Sequence, residues 1–116
     1  MSVTRVASLV AVVIAFAATG ASSQTPDGQA LYRQYCRSCH GPIGVPPEQM
    51  RAQYRNIPTL ADSAFLASRS DDSVLAVLRH GARRGRDMGS FSAMMSEPQM
   101  RAVIAYVRTL PRRHAQ

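Results

Sequence analysis

The pentapeptide Cys36-Arg37-Ser38-Cys39-His40 constrains this chain more than any other feature, because both cysteines of the protein are used in it. On one turn of helix, two sulfurs three positions apart project to the same side, close enough to add across the two vinyl groups of a single porphyrin. The histidine that follows then reaches the iron. A bare CxxC is ambiguous, but CxxCH reads as c-type haem attachment. A thioredoxin-like dithiol would need a βαβ setting, and no apolar strand precedes Cys36. A structural zinc site normally takes four ligands, and Cys36, Cys39 and His40 stop at three. A disulfide between the two thiols would close a tiny loop and stabilise little.

The N-terminus indicates where such chemistry would take place. Arg5 is the only charge in the first 26 residues and precedes an apolar run, Val6 to Ala18, too short to span a bilayer comfortably. Small residues follow, from Thr19 to Ser23. Residues 1–23 therefore read as a secretory signal peptide, with cleavage expected after Ala21 or Ser23; an uncleaved membrane anchor is the competing reading. Thioether formation occurs outside the bacterial cytoplasm, so a periplasmic location fits the motif, and no permanent membrane span is expected after cleavage.

What remains is one small domain, 24–111, with a basic tail, 112–116. A chain of this size buries only about two-thirds of its unfolded surface, and a covalently held porphyrin would supply a large apolar body to close around. Thr25-Pro26-Asp27 reads as a helix start, with the helix running to about Cys39 and broken by Gly41-Pro42. A short helix is expected from Pro46-Pro47 to about Tyr54, ending before Pro58, and a weaker one over Asp62 to Arg69. Ser70-Asp71-Asp72 caps a further helix whose apolar face is Val74, Leu75, Val77 and Leu78, stopped at Gly81. In the last helix Ser96 and Gln99 form a capping box, and Met100, Val103, Ile104, Val107 and Leu110 repeat at helical spacing before Pro111 ends it. Nothing alternates like a strand. The fold class is all-α, about three to five short helices, with the first and last available to pack on each other.

Gly28-Gln29-Ala30-Leu31-Tyr32 leading into Cys36 to Gly41, together with Ala105-Tyr106-Val107-Arg108-Thr109-Leu110, resembles the class I, monohaem cytochrome c family over nearly the whole domain. The resemblance implies one covalent haem c with its iron, wrapped by the helices. It implies that Gly28 lets the last helix cross close by, against Tyr106, and that His40 is the proximal iron ligand. The distal ligand would come from a methionine in the loop before the last helix, where Met88 matches. The family often has proline straight after that methionine, and here Gly89 stands instead, loosening the loop by backbone entropy. Met94, Met95, His80 or an open iron site are the alternatives. A proline carbonyl should accept from the second nitrogen of His40 and fix its tautomer; Pro58 looks like the match, with Pro46 and Pro47 nearer in sequence. Leu60 and Phe91 would pack on the haem.

Charge bears on partners. All 14 basic residues are arginine, against 7 acids, and arginine keeps its charge at any relevant pH. Arg79, Arg83, Arg84 and Arg86 fall just before Met88, on the side where the family exposes its haem edge. They read either as a ring steering an acidic redox partner or as a solvated basic surface, and one or two of them as propionate partners. Nucleic acid is excluded by export and by the lack of stacking aromatics among the arginines. The expected function is an exported single-electron carrier and not an enzyme. The competing readings are a haem enzyme or gas- or peroxide-binding protein with a weak sixth ligand, and a haem subunit of a periplasmic dehydrogenase or oxidase complex.

Overall fold

The computed structural model describes residues 24–82 and 88–116. The expected signal peptide, and Arg83, Arg84 and Arg86, lie outside them. Seven helices follow in order: α1 Gly28–Tyr35, α2 Arg37–His40, α3 Glu48–Gln53, α4 Ser63–Ala67, α5 Asp71–His80, α6 Glu97–Val107 and α7 Leu110–His114. The described residues contain no strand, and no helix among them is long and apolar enough to cross a membrane.

The count exceeds three to five because two expected helices are divided. The first begins one cap later than Thr25: Asp27 accepts from the Ala30 amide at 3.0 Å, and its charge also suits a helix N-terminus. It breaks at Cys36, whose φ of −115° departs from helical geometry, and α2 restarts on bonds to the Cys36 carbonyl from Cys39 (3.3 Å) and His40 (2.9 Å). Gly41 ends α2 at φ 79°, where an added Cβ would lie 1.9 Å from the Val45 carbonyl oxygen. Pro111 was expected to end the last helix, yet it sits in the first turn of α7. A missing amide donor is harmless there, so much of the basic tail is helical.

α1 and α6 form the principal helix pair. Their close approach depends on Gly28, since a Cβ there would meet the Ala102 carbonyl oxygen at 2.0 Å. Beside it the Tyr32 and Tyr106 rings pack with centroids 5.3 Å apart and planes tilted by 54°. Tyr32 is wholly buried, and its hydroxyl donates to the Gly41 carbonyl at 2.7 Å, tying α1 to the end of α2. Burial raises the Tyr32 pKa, the nearby Cys36 and Tyr106 add to the rise, and the Gly44 backbone opposes it.

Capping fixes the other helices. Asp62 accepts from Ala64 and Phe65 at the start of α4, Ser70 from Ser73 at α5, and Ser96 with Gln99 makes the full capping box of α6. Arg108, just past α6, donates to Asp71 and to the Leu66 and Arg69 carbonyls. One guanidinium thereby joins the end of α4 to the start of α5. The core is built from Tyr32, Leu66, Leu75, Leu78, Met95, Met100, Val103, Ile104, Val107 and Leu110.

Candidate functional site

α2, the α3–α4 connection, α5, the segment after Met88, and α6 surround one cavity of about 780 Å³. Its apolar wall is supplied by Leu66, Val74, Val77, Leu78, Val103, Ile104 and Val107. Several of these are also core residues, so the cavity occupies the middle of the fold. A chain of this size would leave such a volume only for a large apolar body.

Cys36, Cys39 and His40 all line it. The two cysteines are not joined in a disulfide, and Cys36 is buried and Cys39 half-buried. Burial pushes the Cys36 thiol up to about 11, with the neighbouring Cys39 adding to the rise. His40 is 8% exposed, and burial lowers its pKa while the Pro58 backbone works the other way. The contact with Pro58 falls short of hydrogen-bond geometry, because Nδ1 is buried with no partner that satisfies it. A ligating histidine gives the proton of its second nitrogen to a fixed acceptor, and the Pro58 backbone is the group beside His40.

Every pocket residue expected from the sequence lies on this cavity: Pro58, Leu60, Met88 and Phe91. Pro46, by contrast, is fully buried away from it, and Pro47 is the exposed N-cap of α3. Met88 is the one methionine among the described residues on the lining. Met95 packs into the core and Met94 is 49% exposed. His80 ends α5 exposed. The Phe91 ring meets Tyr35 edge-on at 6.2 Å.

Residues the sequence did not single out supply a polar rim. Gln53, Tyr54, Arg55, Asn56, Arg69 and Ser73 line the cavity, and among the described residues no aspartate or glutamate does. The Gln53 amide donates to the Tyr54 hydroxyl at 3.1 Å, leaving the phenol proton free for another acceptor. The Arg69 guanidinium stacks over Phe65, 4.7 Å from the ring centroid. Neither Arg55 nor Arg69 has a carboxylate partner among the described residues. The signal was present in the sequence as a run of four donors, Gln53 to Asn56, free of acids. The two thiols, the histidine, the apolar wall and this rim of hydrogen-bond donors fit a haem, which presents vinyl groups, iron, an apolar ring and two carboxylates.

Among solved structures the chain is similar to the KustC0563 c-type cytochrome, with 26% identity and a TM-score of 0.64 over 72% of this chain and 96% of that one. It is similar also to a tyrosine-to-phenylalanine mutant of that protein, at 25% identity and a TM-score of 0.63, covering 72% and 98%. No curated protein matches. Fold, cavity and these likenesses define a monohaem c-type cytochrome, a haem-based electron-transfer protein carrying covalently bound haem c. Residues 23–107 match the family model described as cytochrome c oxidase, cbb3-type, subunit III, and the chain belongs to that family.

Proposed function

We propose that this protein is an exported single-electron shuttle in which His40 and Met88 would be the two protein ligands that hold the haem iron. Met88 carries the reading, as the one methionine among the described residues that shares a cavity with Cys36, Cys39 and His40. Bound haem supplies a one-electron ferric–ferrous couple. Cys36 and Cys39 would hold the porphyrin by thioethers, and the Pro58 backbone lies beside the His40 ring that would bind its iron. The Met88 thioether favours the reduced form and raises the potential, and the apolar wall excludes water and pushes the same way. Leu60 and Phe91 would pack on the ring, while Arg55, Arg69 and the Tyr54 hydroxyl on the cavity rim would be donors for its carboxylates. The N-terminal sequence pattern supports export to the periplasm.

The reading is tested by the visible spectrum of haem-loaded protein beside Met88→Ala. The ferric wild type should show an iron–thioether band that the variant lacks; a wild type without that band, or a variant identical to it, would refute the assignment. An acidic redox partner completes the proposal. Arg79 is engaged with Glu97, so steering would rest on Arg83, Arg84 and Arg86, a cluster read from the sequence that lies outside the described residues. The second-order rate of electron transfer should fall as ionic strength rises. A rate indifferent to salt would remove the charged docking face.

A further inference from the structure

The geometry points to Ser90 and Ser92 as the residues that hold Met88 in place, a role that rests on the Met88 reading above. A helix leaves its last four carbonyls without intrahelical partners. At the end of α5, the Val77 carbonyl is taken by the Gly81 amide at 2.7 Å. The next two are taken from across the loop. Leu78 accepts from the Phe91 amide at 2.8 Å, and Arg79 accepts from both the Ser90 and the Ser92 hydroxyls, the latter at 2.9 Å. Ser90 Oγ also accepts from the Ser92 amide at 3.2 Å, so the two serines form one turn facing the helix end.

Met88 is bracketed by this arrangement. On its own residue the carbonyl accepts from the Ala82 amide at 3.0 Å, and two residues later the chain is fastened to α5. Between them lies Gly89, whose backbone passes beside Gly81 but where an added Cβ would find no atom within 4 Å among the described residues. No side chain packs at the residue after Met88, and its φ is not fixed as a proline would fix it. Ser90 and Ser92 supply by hydrogen bonding the restraint that Gly89 lacks. They are positioning residues, acting on the iron site through the backbone of Met88.

The test uses haem-loaded protein and compares Ser90→Ala/Ser92→Ala, Ser90→Thr/Ser92→Thr, each single alanine variant and Met88→Ala. Losing two modest hydrogen bonds should raise the population with Met88 detached by about tenfold. The double alanine variant should then bind carbon monoxide in the ferrous state about tenfold faster, with a weakened ferric iron–thioether band. The threonine pair, which keeps both hydroxyls, should behave as wild type, and the single alanine variants, keeping one hydroxyl on Arg79, should fold and fall between. A purely structural role would lower the melting temperature without moving the band or the carbon monoxide rate, and that result would overturn the inference. Wild-type band and rate in the alanine variants, with Met88→Ala losing its band, would overturn it while leaving Met88 as ligand. A band retained in Met88→Ala would remove both.

Discussion

Gly28 and Tyr32 show how much of the fold depends on single atoms. A methyl group at Gly28 cannot be accommodated 2.0 Å from the Ala102 carbonyl oxygen, because both sides of the contact are helix backbone. Gly28→Ala should destabilise the protein by about 1–3 kcal/mol, as overpacking does, read as a lowered midpoint in thermal or denaturant unfolding. Tyr32→Phe removes the shorter of two hydrogen bonds to the Gly41 carbonyl, leaving the Gly44 amide at 3.4 Å, without changing the packing of its ring on Tyr106. Losing that buried hydrogen bond should cost about 0.5–1.5 kcal/mol, read in the same unfolding experiment. Both positions were legible in sequence, Gly28 from the resemblance and Tyr32 from its spacing beside Gly28. The bond that makes Tyr32 the most buried aromatic was not, since it joins two residues nine apart through a backbone atom.

At the level of elements, the caps were the clearest signals and the breaks the poorest. Ser70, Ser96 and Gln99 stand where short-range hydrogen bonding puts them. Cys36 and Pro111 were misjudged, because whether a helix restarts after a break depends on what lies beneath it. Arg108 is the clamp between elements: Arg108→Ala should cost about 2 kcal/mol by removing charge-assisted bonds to Asp71 and two carbonyls, measured by denaturant unfolding. Arg108→Lys should recover little, since one ammonium lacks the guanidinium's fork of donors. Glu97 sits between Arg101 and Arg79, and the Arg101 hydrogen bond in particular holds its carboxyl below the usual range. A depressed folded pKa gives stability that is present above the ordinary glutamate range and lost as pH falls through the lowered value. The melting temperature of wild type should therefore drop on acidification more than that of Glu97→Gln.

For the whole molecule, the cavity and the core are the same place. Leu66, Leu78, Val103, Ile104 and Val107 belong to both, so apolar side chains that would elsewhere touch each other face the haem. A Cys36→Ala/Cys39→Ala chain, which cannot form thioethers, should lose its cooperative thermal transition and expose apolar surface to a dye such as ANS. A sharp transition near that of the loaded protein would show that the helices close without the cofactor.

Sequence alone determined the chemistry of attachment, the helical class and most helix starts, because each depends on residues within about one turn of one another. Tertiary structure decided which methionine reaches the cavity, which proline faces His40 and which arginines lie on the rim. Those outcomes depend on the α1–α6 crossing and on the fastening of residues 90–92 to the end of α5. The attachment motif is written in one pentapeptide, whereas the distal side is assembled from segments that meet only when the chain folds.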